Sequence, residues 1–209
     1  MMVGIAKTAV ARARVLSENA RQLAKWIEKH PNKFYRHANC PSVADDEPLT
    51  MKQVCMALGF AHYSKKTCRS CLGNRGLAKE DGVHTLNSLW QHTMARLPDG
   101  FPWFDKDKGI RYSNALFVLN VNQFHGNRGC IPVELHKPTN NFFNSDLTPR
   151  LSLKGKHASI FDRHGYHAVN GEPVKLTSHQ ARHLLNTIIQ RGGLSNLEIA
   201  KWSGRADVK

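Results

Sequence analysis

Residues 174–209 read VKLTSHQARHLLNTIIQRGGLSNLEIAKWSGRADVK. Thr177 and Gln180 stand at capping-box spacing, in which a hydroxyl and an amide each satisfy an otherwise free backbone N–H at a helix start. Ala181, Leu184, Leu185 and Ile188 then recur at helical spacing, which predicts a buried face, and Gly192-Gly193 stops the helix. Ser195 and Glu198 repeat the capping-box spacing ahead of a second apolar run, Leu197, Ile199, Ala200 and Trp202. Two helices joined at a Gly-Gly turn are expected.

Outward from this stretch the same reading gives mostly helices. Val10, Leu16, Leu23 and Ile27 space an amphipathic helix over 5–29, ended before Pro31. Residues 37–48, with two prolines and two aspartates, read as a loop. Thr50 caps a helix over 51–58 that Gly59 ends, and Ser64 caps another running to about Asn74. A further helix covers 86–97, and Pro98, Asp99, Gly100 and Pro102 mark a domain boundary. Beyond it the apolar runs 115–121 and 131–135 predict one or two strands, while 137–156 reads as a long loop. The expected fold is mainly α with a small β component, an α+β chain with a helical region over 1–97 and a second domain over 98–209.

The formal net charge is +14 over 209 residues, with Lys and Arg spread along the whole length. Such a balance calls for a polyanionic partner. No window approaches the roughly 18 uninterrupted apolar residues of a membrane span, and Arg12, Arg14 and Arg21 interrupt any signal-peptide core. The expectation is a cytoplasmic protein with no membrane partner. Five cysteines, an odd number, favour reduced thiols over a disulfide framework. No phosphate-cradling Gly-rich loop and no Gly-x-Ser-x-Gly elbow occurs, which leaves nucleotide hydrolysis and acyl transfer without support.

His179 and Arg182 are three apart in the first turn of the 177–191 helix, so both side chains reach one face. A guanidinium forks onto two phosphate oxygens, an imidazole donates or shuttles a proton near neutral pH, and a helix start favours an anion. The bland alternative is a capping histidine beside a salt-bridged arginine. In the helix pair 51–58 and 64–74, Lys65, Lys66, Arg69 and Arg75 are candidate phosphate contacts, and the pair resembles a helix-turn-helix. Plain helical packing is the competing reading. His37-x-x-Cys40 and Cys68-x-x-Cys71 are the ligand types of a tetrahedral zinc site, although two of the four fall within an expected helix. His157, His164 and His167 gather near Asp162 without matching a known metal or nuclease spacing.

The order His-x-x-Arg-His at 179–183, a helix ending in glycine and a second helix leading to Trp-Ser-Gly-Arg at 202–205 resembles the second conserved box of the tyrosine recombinases, the phage integrase family. The resemblance implies that His179 and Arg182 are active-site residues with His183 beside them, and that Arg205 stands where the family more often has His or Trp. It makes Arg111, in Gly109-Ile110-Arg111, the candidate for the first-box arginine, and Lys137, Lys154 and Lys156 candidates for the catalytic lysine. The implied chemistry is metal-free transesterification of a phosphodiester: a tyrosine attacks, the arginines stabilise charge on the non-bridging oxygens, the lysine protonates the leaving 5′ oxygen and the histidine assists. Double-stranded DNA is the implied partner, with self-assembly upon it, and no cofactor is implied. Tyr35, Tyr63, Tyr112 and Tyr166 all precede the box, whereas the family's nucleophile follows it by some residues. The chain is thus expected to be an inactive, truncated catalytic domain behind a DNA-binding region. The alternative is a non-catalytic DNA-binding or regulatory module built on the 51–74 helix pair.

Overall fold

The computed structural model describes residues 2–60, 64–77, 83–125, 128–148, 158–193 and 195–203, which form a mixed α+β chain. It divides into two compact units, Met1–Lys137 and Pro138–Lys209. The sequence expectation put the division at 97/98. The reason for the difference is packing: Tyr112, Ala115, Val118, Ile131, Val133 and Leu135 all join the same core cluster as Leu23, Val54, Leu72 and Trp90. A Pro/Gly-rich stretch interrupts secondary structure without ending a core.

In the first unit the expected 5–29 helix is two, α1 (Met2–Leu16) and α2 (Glu18–Lys29). Ser17 separates them; it is fully buried and its hydroxyl accepts the Val118 N–H at 3.2 Å. Arg21 fastens the same junction, donating to the Arg14 carbonyl at 2.5 Å, to Glu18 at 2.6 Å and to the Ala115 carbonyl at 3.4 Å. α2 buries Ala20, Leu23, Ala24 and Ile27, whereas Val10, Val15 and Leu16 of α1 are exposed.

α3 (Met51–Leu58) and α4 (Lys65–Gly73) form where expected, capped by Thr50 and Ser64. Gly59 ends α3 at φ +81°, a left-handed conformation that favours glycine. A Cβ there would lie 2.1 Å from the Pro132 ring. α5 (Leu86–Met94) is capped by Thr85 and contributes Leu86, Leu89 and Trp90 to the core. Two antiparallel two-stranded sheets follow: β1 (Trp103–Asp105) with β2 (Ile110–Arg111), and β3 (Leu119–Val121) with β4 (Ile131–His136). β3 and β4 pair Leu119 with His136 and Asn120 with Leu135, and α2 packs upon both strands. The β1–β2 hairpin was not expected, because three residues and two are too few to show a period of two.

The second unit contains α6 (Asn140–Leu147), the single turn α7 (Ile160–Arg163), α8 (Ser178–Arg191) and α9 (Asn196–Ser203). α6 occupies part of the expected 137–156 loop; Thr139 caps it by accepting the Phe142 N–H. Arg163 grips Asp146 with two bonds of 2.7 and 2.8 Å, tying α7 to α6. α8 lies against both α6 and α9. Its caps are those expected, but its inward face is not. Leu184, Leu185 and Ile188 are exposed, and the buried positions are Asn186 and Ile189.

No described helix is long and apolar enough to cross a membrane.

Candidate phosphate-binding site at the start of α8

α8 begins with a complete capping box. Thr177 Oγ1 accepts the Gln180 N–H at 3.2 Å, and Gln180 Oε1 accepts the Thr177 N–H at 2.9 Å. The Ser178 N–H donates to Asn144 Oδ1 on α6 at 2.8 Å, and the Ala181 N–H to the Thr177 carbonyl at 3.0 Å. Of the four N–H groups that a helix start leaves over, that of His179 therefore remains without an acceptor among the described residues. The helix mouth offers an anion one backbone donor instead of several.

Asn144 also lines an open depression of about 390 Å³ with Asn141, Ser145 and Thr148. Because Asn144 holds Ser178, this polar hollow borders the start of α8.

His179, Arg182 and His183 are all exposed on α8. The His179 ring turns to His183. Their Nε2 atoms are 2.8 Å apart and the rings meet edge to face, centroids 4.3 Å apart and planes at 86°. One Nε2 donates and the other accepts, so at least one ring is neutral. The Arg182 guanidinium has no acidic partner among the described residues, so its full donor fork is available.

Other expected site residues are placed differently. Arg111 belongs to the first unit, where it donates to Glu28 at 3.2 Å and stacks 4.9 Å from the Trp103 ring centre. Lys137 also belongs there, donating to the Phe104 carbonyl and lying over that ring. Arg205, Lys154, Lys156, His157 and Tyr63 lie outside the described residues. Tyr112 is buried among Phe101 and Phe104, and burial pushes its phenol up; Tyr166 is exposed.

On α4, Lys66 and Arg69 are exposed, and Lys65 occupies the first helical position. Arg75 is not a surface contact. It forms a two-pronged ion pair with Glu134 of β4, stacks on Phe60 and has only 10% of its side chain exposed. Arg96 reaches the same carboxylate at 3.3 Å. The sequence could not show this partner, which lies on a strand far along the chain.

The zinc constellation does not assemble among the described residues, where no group of three metal-ligand side chains comes together. His37 has both nitrogens engaged: Nδ1 accepts the Asn39 N–H at 3.3 Å and Nε2 donates to the Ala57 carbonyl at 2.9 Å. Cys68 instead meets Cys55 of α3 in a side-chain hydrogen bond, and burial drives the Cys55 thiol far up. Burial likewise raises the Cys40 thiol, and all five cysteines are free. Burial thus keeps the Cys40 and Cys55 thiols in their unreactive protonated form. Asp162 is occupied as well, accepting from the Ser159 N–H at 2.9 Å and hydroxyl at 2.8 Å; these bonds lower its pKa.

Sequence reasoning singled out His179 and His183 separately but missed that they form a pair. The signal was their spacing of four, which stacks two side chains on one helical face. No protein family, no curated protein and no solved structure matches this chain.

Proposed function

We propose that this chain acts on duplex DNA as part of a site-specific recombinase of the tyrosine type, with the start of α8 holding the scissile phosphate. The observation that carries the reading is Arg182, an exposed guanidinium without an acidic partner among the described residues, one turn into a capped helix beside an exposed imidazole. In this reading Arg182 takes two non-bridging oxygens, the free His179 N–H takes one, and the His179 ring donates or relays a proton. Arg111 serves as the first-box arginine only by leaving Glu28 and Trp103.

The test is binding of a fluorescent duplex, followed by anisotropy. Arg182→Ala is expected to weaken binding by about tenfold or more, the worth of a charge-assisted hydrogen bond. Equal binding by Arg182→Ala and the parent chain overturns the proposal. Exposed Lys66 and Arg69 support the second reading, a non-catalytic DNA-binding module. If Lys66→Ala with Arg69→Ala abolishes binding while Arg182→Ala does not, that reading replaces the first.

A further inference from the structure

Two exposed imidazoles four residues apart on α8 bring their Nε2 atoms into hydrogen-bond contact. We propose that His179 and His183 form a two-histidine site for a divalent ion of the copper or nickel class. Imidazole nitrogens bind such ions at about 2.0 Å, so two ligands in adjacent square or octahedral positions lie about 2.8 Å apart, and two in tetrahedral positions about 3.3 Å. The observed Nε2···Nε2 separation is 2.8 Å. That contact is the N–H···N hydrogen bond of the metal-free pair; it brings both nitrogens within reach of one ion, and imidazole donors suit the copper and nickel end of the divalent series.

The surrounding helix supports this. Both residues are exposed, so their rings have room to reorient when the hydrogen bond between them gives way to an ion. The backbone beneath is held by the Thr177–Gln180 capping box, by Ser178 on Asn144 and by the Thr187 hydroxyl on the His183 carbonyl at 3.0 Å. The backbone that presents both ligands is thus fixed in advance, and only the two rings remain to be ordered on binding.

The proton count is explicit. In the neutral pair one ring carries its hydrogen on Nε2, directed at the other ring. Binding replaces that hydrogen with the ion, and the donor ring takes up the Nδ1–H tautomer through water, so no net proton is lost. A pair that carries an extra proton must release it first, so acid opposes binding. Among the described residues no third His, Cys, Asp or Glu joins the pair, so the other coordination positions stay open to water or an anion. The site is an open one, not a closed structural centre.

This proposal does not rest on the DNA reading and is tested without nucleic acid. Titration of the full chain with copper(II) or nickel(II) chloride near neutral pH, followed calorimetrically, should show one strong site above the background of the other histidines. His179→Ala and His183→Ala should each weaken that site by about a hundredfold, because each removes a preorganised second ligand. Arg182→Ala should leave it intact, which separates this result from any loss of phosphate binding. In parallel, imidazole NMR signals of His179 and His183 should broaden first as the paramagnetic ion is added. Unchanged binding in both single variants, or earlier broadening at other histidines, overturns the proposal.

Discussion

Glu134 is 4% exposed and is held between two guanidiniums, Arg75 at 10% and Arg96 at 45%. Removing one partner of a buried pair costs more than the pair contributes, because the remaining charge stays out of water. Glu134→Ala should therefore destabilise the first unit by about 3–5 kcal/mol, read as a lower urea midpoint. Replacing Arg75 and Glu134 together with Met and Leu should recover most of that loss. Three histidines of the same unit, His37, His92 and His136, have pKa values lowered chiefly by burial; the charges of Arg96 and Arg75 add to the effect at His92. A depressed histidine is neutral when folded and takes up its proton on unfolding. Its stabilisation is complete above the unfolded value of about 6.5 and is lost as pH falls below it. Urea midpoints should hold steady above that point and fall towards about pH 5.5, and a flat profile would contradict the assignment. Residue identities alone exposed neither feature. Arg75 reads as a helical surface cation and His37 as a metal ligand until Glu134 and the Ala57 carbonyl, both remote in sequence, are brought to them.

Helix ends were legible and helix faces were not. Thr50, Ser64 and Thr177 each cap within their own four residues, so the sequence contains the whole interaction. Which side of α8 turns inward depends on α6 and α9, and no local pattern holds that information. Leu184, Leu185 and Ile188 suggested a core stripe, yet they are 60, 46 and 56% exposed while Ile189 is 4% exposed. Truncation should separate the two. Ile189→Ala should cost about 2–5 kcal/mol by emptying packed space, whereas Leu184→Ala and Ile188→Ala should each cost well under that. The comparison is made by chemical denaturation of the second unit. A similar loss for all three would mean that the outward apolar positions are covered in solution. The α1–α2 break was hidden for the same reason, since Ser17 is an ordinary helix residue until its hydroxyl receives the Val118 N–H from across the unit.

For the whole molecule, the class of fold and the run of helices could be read from periodicity, while the division into units could not. A boundary is where contacts cease, and the Pro/Gly stretch at 98–102 interrupts the chain inside a continuing core. Both proposed sites lie in the second unit, on α8. The first unit contains the remaining arginine of the resemblance, Arg111, already engaged. Five other cations of that unit, Arg21, Arg36, Arg75, Arg96 and Lys108, likewise have an acidic neighbour. Internal pairing bears on how the chain meets any polyanion. The number of small counterions expelled on contact follows the cations that reach phosphates, not the total on the chain. The formal excess of +14 is already net of the sixteen acids, so internal pairing decides which cations stay free and leaves that excess unchanged. Its affinity for a polyanion should fade with added salt in step with the cations that reach phosphates.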